Sequence, residues 1–241
     1  RGWGHNPEAA KLWDAENLFK MARELQPHII INDRCGLDAD FATPEQHVAT
    51  FSRNRAWESN ITLGTQWAWK PNDKLKSYTE AIRMLVVCAT GDGNLALNTN
   101  PMPDGRIEPR QVESFKKIGQ WLRKYGQSIY ETRGGPFIAP DFNQRKFNSA
   151  LNRFALPGGR WWGGSTHREN VVYLHILRWP EDTVRLPPIA CKLVKASVLT
   201  GGAVSAKQTA NGILVTVPEK HRNPIDTIVM LEFGQSDRLS R

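Results

Sequence analysis

The chain has 241 residues, 40% hydrophobic and 23% charged, a length between one large domain and two ordinary ones and enough to bury a substantial core. No run approaches the roughly 20 apolar residues that cross a bilayer, which argues against a membrane span. The net charge of +8 is scattered, with no Lys/Arg block and no nucleic-acid-binding signature, so a solvated basic surface is the better reading than a nucleic-acid partner.

The sequence opens on Arg1 rather than Met, and Arg1-Gly2-Trp3-Gly4-His5 lacks the apolar core of a signal peptide, so a processed, trimmed or partial chain is expected. A helix is predicted over Pro7–Glu24, where Leu12, Leu18 and Met21 return to one face, ending near Gln26-Pro27. His28-Ile29-Ile30-Ile31 follows as a short β-branched run of the kind buried on both faces of a parallel sheet. Residues 33–73 then form a long polar and aromatic segment broken only by Ile61-Thr62-Leu63, and long loops in compact domains are usually functional.

Leu75–Thr90 reads as a mostly buried helix closed by Gly91-Asp92-Gly93, and Asn94–Asn98 as a second short strand. After a turn over Pro101–Gly105, Glu108-Pro109 opens a helix whose Val112, Phe115, Ile118, Trp121 and Leu122 fall three or four apart and which stops at Gly126. Ser128–Thr132 reads as a further strand. Helices alternating with strands imply parallel strands joined by crossovers, an α/β arrangement.

Past Gly134-Gly135-Pro136 the texture changes to short alternating segments: Val171–Trp179, Leu193–Leu199, Val204–Thr209, Ile213–Val217 and Thr227–Phe233, with Asn211-Gly212 as a hairpin turn. Residues 136–241 therefore read as an antiparallel β-sandwich. Residues 1–135 are about half of the roughly 250 that a complete barrel of eight strands needs, so the expected architecture is the C-terminal half of a (β/α) barrel followed by that sandwich.

Active sites of such barrels lie at the carboxyl ends of the strands. The residues to inspect are thus Asn32-Asp33-Arg34, Thr43-Pro44-Glu45-Gln46-His47, Trp57-Glu58 and the Asn98–Pro101 stretch. A carboxylic acid can protonate a glycosidic oxygen and aromatic rings stack on the apolar faces of sugars, although a single Glu in a loop is more often only a solvated side chain. Cys35, Cys88 and Cys191 are odd in number and far apart, giving neither a disulfide framework nor zinc spacing, and the six histidines are dispersed. The cysteines read as buried thiols, and no metal or cofactor is expected.

Ile31-Asn32-Asp33-Arg34, Asp40-Phe41-Ala42-Thr43-Pro44-Glu45, Trp57-Glu58, Gly93-Asn94-Leu95-Ala96-Leu97-Asn98 and Pro103-Asp104-Gly105, in this order, resemble the α-L-fucosidase family of glycoside hydrolases. Residues 119–133 extend the likeness, as do Val172-Tyr173-Leu174-His175, Trp179-Pro180 and Pro224-Ile225-Asp226-Thr227. The resemblance implies a retaining exo-hydrolase that removes terminal α-L-fucose from an oligosaccharide or glycoconjugate through a covalent glycosyl-enzyme intermediate. It also implies an exported or lysosomal protein, and the basic balance would suit a sulfated fucan. The family nucleophile, an Asp at the end of the fourth strand, would fall before Arg1.

The acid/base position varies in the family and both of its positions hold Glu here, Glu45 and Glu58. Geometry must choose between them. The acid/base is expected to have a raised pKa through burial beside rings such as Trp57 and Trp67. Arg34 matches a family arginine that would hold the ionised carboxylate or a sugar hydroxyl, with an ion pair to Asp33 or Asp38 as the structural alternative. Trp67 matches an aromatic that packs on fucose, whereas Trp69 is as readily a core residue. Asp33 is read as lying beside the site, and His5 and His47 as residues that could contact substrate but are more often structural.

Three departures stand out. Cys35 replaces a Trp, Asn98-Thr99-Asn100-Pro101 replaces a Val-Gly-Pro type of ending, and Gln66-Trp67-Ala68-Trp69 replaces Ser-Trp-Gly-Tyr. The competing readings are another retaining glycosidase on a related barrel and a non-catalytic carbohydrate-binding remnant. Oligomeric state is not legible.

Overall fold

In the computed structural model, which describes residues 6–48, 51–140 and 156–234, two helices stand where the sequence predicts one. Asn6 caps α1 (Pro7–Leu12), its side chain accepting from Ala9 N at 3.1 Å. Asp14, left-handed at φ 48°, separates it from α2 (Ala15–Leu25). Apart from Ala10 and Ala15 this pair buries little, and Leu12, Trp13, Leu18, Met21 and Leu25 are exposed.

The expected strand over His28–Ile31 does not form. Ile30 is 74% exposed, and pairing shrinks to one parallel bridge between Asn32 and Phe41. The backbone finds another partner: Ile31 N donates to Asp40 Oδ2 at 2.7 Å. Parallel pairing begins instead at β1 (Phe41–Ala42), which lies beside β2 (Ala56–Thr62), itself beside β3 (Asn94–Asn98). All three run parallel, with Ala42 opposite Trp57 and Glu58 opposite Asn94. The segment predicted as a long loop thus contains two strands.

Between β2 and β3 runs α3 (Tyr78–Thr90), started by a capping box in which Ser77 and Glu80 satisfy each other's backbone N–H. Pro109 opens α4 (Pro109–Tyr125), whose Ile118, Trp121 and Tyr125 are buried. Ser128–Thr132 is not the strand expected. Ile129 N and Tyr130 N both fold back onto the Gly126 carbonyl, at 2.9 and 2.7 Å, and Glu131 is left-handed at φ 56°.

β4 (Arg133–Gly134) already pairs antiparallel with β5 (Gly163–Arg168), so the chain has entered the second layer slightly before residue 135. The remaining strands are β6 (Val171–Ile176), β7 (Thr183–Leu186), β8 (Leu193–Val198), β9 (Ser205–Thr209), β10 (Gly212–Thr216) and β11 (Thr227–Phe233). They form two antiparallel sheets, ordered β4-β5-β6-β11-β8 and β7-β10-β9. Leu174, Ile228 and Leu231 of the first share one core with Val184, Ile213 and Val215 of the second. The same core takes in Ile82, Val86 and Trp121, joining the parallel layer to the antiparallel ones. The fold is mixed α/β.

The β9–β10 turn falls at Ala210-Asn211, one residue earlier than predicted, because Gly212 opens β10: at φ 129°, a Cβ there would lie 2.0 Å from the Leu186 carbonyl oxygen. No helix among the described residues is long and apolar enough to cross a membrane.

Candidate active site

The parallel sheet alternates. Trp57, Ser59 and Ile61 of β2 lie on one face and are buried, while Glu58 and Asn60, both partly exposed, and the buried Thr62 lie on the other. Past the carboxyl end of β1 the chain returns to β2 through a bridge between Glu45 and Asn60, with Gln46 N donating to the Asn60 carbonyl at 2.8 Å and Asn60 N to that of Pro44 at 2.9 Å. Residues opposite each other in a parallel pair point to the same side, so Glu45 shares the face of Asn60 and Glu58.

Arg34 meets Glu45 there. Its Nη1 donates to Glu45 Oε2 at 2.9 Å and its Nε to Thr43 Oγ1 at 3.0 Å. Thr43 is fixed in turn by the buried Asp33, whose Oδ1 accepts from Thr43 N at 3.1 Å and Thr43 Oγ1 at 2.7 Å. Arg55 bridges Asp33 and Asp38, at 3.5 and 3.2 Å. A buried carboxylate therefore orients a threonine, the threonine orients an arginine, and the arginine holds a carboxylate about a third exposed.

Glu58 sits elsewhere. It is the third residue of β2, two residues or roughly 6.6 Å below Asn60, and opens on a cavity of about 660 Å³ at the amino ends of β2 and β3 with Arg55, Asp92, Asn94 and Arg133. Trp57 is not gathered with Arg34 and Glu45. Its indole is 3% exposed and packs on Gly91 and Gly93, where a Cβ on Gly93 would come within 2.1 Å of the ring.

The loop after β2 leaves the same end of the sheet. In it Trp67 is 42% exposed, while Trp69 Nε1 donates to Glu108 Oε2 at 3.3 Å. Asp73, almost fully buried, accepts from Thr65 N, Thr65 Oγ1 and Lys74 N and pairs with Lys70. Burial works to raise its carboxyl, but these hydrogen bonds outweigh it and hold it below the ordinary aspartate range. Lys76 is also buried, its Nζ donating to the Thr62 and Gly64 carbonyls at 2.6 and 3.2 Å, and desolvation pushes its ammonium below the usual lysine range against the pull of Glu80 and Asp73.

His47 is exposed, with Nδ1 2.9 Å from the Glu45 carbonyl, and His5 lies outside the described residues. Sequence reasoning missed Thr43 as the link between Asp33 and Arg34, although it sits inside the quoted Asp40–Glu45 stretch. It also missed Asp73 and Lys76, whose roles depend on contacts between loops and carry no signal in a single sequence, and it flagged Asn100 without its contact to the Trp67 loop.

The family model described as alpha-L-fucosidase matches residues 2–127. An alpha-L-fucosidase from Branchiostoma floridae is 24% identical over 232 residues, covering 88% of this chain and 47% of that protein. Among solved structures, alpha-L-fucosidase isoenzyme 1 from Paenibacillus thiaminolyticus superposes with a TM-score of 0.75 at 26% identity, covering 93% of this chain and 55% of that one. An alpha-L-fucosidase from Bacteroides thetaiotaomicron, trapped as a covalent intermediate with 2-fluoro-fucosyl fluoride, gives 0.69 at 22% identity, covering 89% of this chain and 51% of that one. The chain spans about half the length of the curated relatives it matches. With more than half of its residues matched by the family model, it belongs to the alpha-L-fucosidase family.

Proposed function

We propose that this chain is the acid/base-bearing part of a retaining α-L-fucosidase, forming the C-terminal half of a (β/α) barrel and an antiparallel β-sandwich. Its substrate is a terminal α-L-fucosyl linkage of an oligosaccharide or glycoconjugate. The observation that carries the reading is the Arg34–Glu45 contact of 2.9 Å just past the carboxyl end of a parallel strand, the end at which barrel enzymes keep their chemistry.

Glu45 is the acid/base in preference to Glu58, which lies nearer the amino ends of the strands. In the first step Glu45 gives its proton to the glycosidic oxygen while a second carboxylate bonds to the anomeric carbon and the aglycone leaves. In the second, ionised Glu45 takes a proton from the water that attacks that carbon and releases the carboxylate. Arg34 stabilises the ionised Glu45 between the two steps. Asp33, engaged by Thr43 and Arg55, is a positioning group, and the attacking carboxylate is the Asp that the family resemblance places before Arg1. That agrees with relatives about twice as long, and with the covalent intermediate trapped on a protein of this fold.

Trp67 offers an exposed aromatic face to the apolar edge of fucose. Trp57, buried under Gly93, supports β2 and is not a contact to sugar.

The deciding experiment replaces Glu45 and Glu58 by Ala in the full-length protein with an aryl α-L-fucoside as substrate. Glu45→Ala should lose the alkaline limb of its pH–rate profile and regain rate with azide, while Glu58→Ala should do neither. The reverse pattern would reassign the acid/base. Cleavage of an aryl galactoside but not the fucoside would sink the fucosidase reading.

A further inference from the structure

Two of the three places where this chain departs from the family pattern meet in space. Asn100, 1% exposed two residues past β3, donates its side-chain amide to the carbonyls of Gln66 at 2.8 Å and Trp67 at 2.7 Å. Asn98 adds a longer contact to the same Trp67 carbonyl at 3.4 Å.

Asn100 is itself gripped from the first turn of α4. Gln111, also 1% exposed, accepts from Asn100 N through Oε1 at 2.9 Å and donates from Nε2 to the Asn100 carbonyl at 3.3 Å. The primary amide of Gln111 thus acts as a strand partner for one residue of backbone. From the other side Asp73 holds Thr65, and Gly64 lies so close between the two anchors that a Cβ on it would come within 2.4 Å of Asp73 Oδ2 and 3.1 Å of Asn100 Oδ1. The base of the loop is closed around these contacts while Trp67 stays 42% exposed.

We propose that Asn100 is a positioning residue that sets the Trp67 platform and, through it, how tightly the sugar is bound. The side chain occupies a position held by glycine in the Val-Gly-Pro type of ending, so the loop is clamped here by a group that pattern does not supply. The proposal rests on Trp67 being a sugar platform. An aromatic platform contributes to ground state and transition state alike, so loosening it should raise KM with little change in kcat.

The test uses the full-length protein carrying Asn100→Gly, which restores the pattern residue, and Asn100→Ser, which keeps a small donor and a fold-compatible volume. Deuterium uptake at the amides of residues 65–69 should accelerate in Asn100→Gly and lie between it and wild type in Asn100→Ser. With an aryl α-L-fucoside, KM should rise about tenfold in Asn100→Gly with kcat within about threefold of wild type. Unchanged uptake over residues 65–69 overturns the clamp. A KM within about twofold of wild type overturns its role in binding, even where uptake has changed. If the wild-type protein fails to hydrolyse the fucoside, the functional reading fails instead, and the uptake comparison alone decides whether Asn100 holds the loop.

Discussion

Arg34 and Glu45 form the joint on which the candidate site turns: Nη1 lies 2.9 Å from Oε2 while Nε is pinned 3.0 Å from Thr43 Oγ1. The guanidinium serves two acceptors in different directions with one rigid plane. A lysine at this position has a point charge and a flexible stem and cannot reproduce that fork. Arg34→Lys in the full-length protein should therefore lower kcat/KM on an aryl α-L-fucoside by about 10- to 100-fold, or about 1.4–2.7 kcal/mol. With both side chains about a third exposed, stability should change by less than about 1 kcal/mol. Steady-state kinetics beside a urea melt separates the two, and an equal loss in both would make the pair a structural bridge.

The seating of Trp57 gives a test independent of catalysis. Gly93 exists to admit that indole, since a Cβ there would stand 2.1 Å from it with ring carbons, not a flexible chain end, in the way. Gly93→Ala should destabilise the protein by about 1–3 kcal/mol, the usual penalty of overpacking, read as a lower urea midpoint at constant slope. A neutral result would mean that the ring can move aside and is not fixed in the wall of the sheet.

The same residues show how far the sequence could be read. β3 and β11 announce themselves by apolar runs bounded by turn residues, and α4 by its spacing. β2 conceals its first half because Glu58 and Asn60 occupy the face opposite the core, so Ala56–Asn60 looks like loop. β5 is hidden for another reason: Gly163-Gly164-Ser165-Thr166 packs by close backbone approach, with a Cβ on Gly163 falling 1.8 Å from the His175 carbonyl oxygen and one on Gly164 2.6 Å from Thr90. Small residues carry no hydrophobic signal even when buried. His28–Ile31 errs in the opposite direction, having the composition of a buried strand but only one bridge beside it. At the site, the motif residues Asp33, Arg34, Thr43 and Glu45 were legible as a set, whereas their chain of contacts was not.

Asp92 ties the end of α3 to β4. Its side chain is almost wholly buried, accepting from Gly134 N and from Arg133 Nε and Nη2. Burial works to raise its carboxyl, but Arg133 and the Gly134 amide outweigh it and hold it below the ordinary aspartate range. A carboxylate with a depressed folded-state pKa contributes stability that is present above its unfolded value of about 3.9 and is lost as pH falls through the folded value. Wild-type stability should accordingly fall as pH is lowered below about 4. Asp92→Asn should be less stable at pH 7 but show a shallower acid slope, measured by denaturant midpoints across that range. An unaltered slope would remove Asp92 from the acid response.

A second buried acidic group joins the layers. His175 Nδ1 lies 2.6 Å from Asp226 Oδ2 with both side chains fully buried, and His175 Nε2 is 3.3 Å from both Thr166 Oγ1 and the Ser128 carbonyl. Thr166 Oγ1 also donates to that carbonyl at 2.6 Å, so the turn after α4 is fastened to β5 and β6 through this cluster. Removing one member of a buried pair strands the other, at about 3–5 kcal/mol. Asp226→Ala should cost about that much in a urea melt, whereas Asp226→Asn, which keeps an acceptor, should cost less. Equal effects would mean that volume and not polarity is what matters.

The exposed side of α1 and α2 extends the architectural proposal to solubility. Leu12 and Leu25 are more than 80% exposed, and Trp13, Met21 and Ile30 more than half, a set of apolar side chains on and just after α1 and α2, followed in sequence by a segment that pairs through the Asn32–Phe41 bridge. Exposed apolar groups of this kind mark contact surfaces or aggregation hazards. If this set packs against the remainder of a barrel, Leu25→Asp should destabilise the full-length protein by about 2–3 kcal/mol, the scale of burying a leucine side chain. In the 241-residue chain expressed by itself the same substitution should improve solubility, because there it only removes apolar surface from water. On the proposed assignment, which places the attacking carboxylate outside these residues, that chain should also show no turnover of an aryl α-L-fucoside. Neutral behaviour of Leu25→Asp in the full-length protein would place this set on the outer surface, and turnover by the 241-residue chain would require the nucleophile to be sought within it.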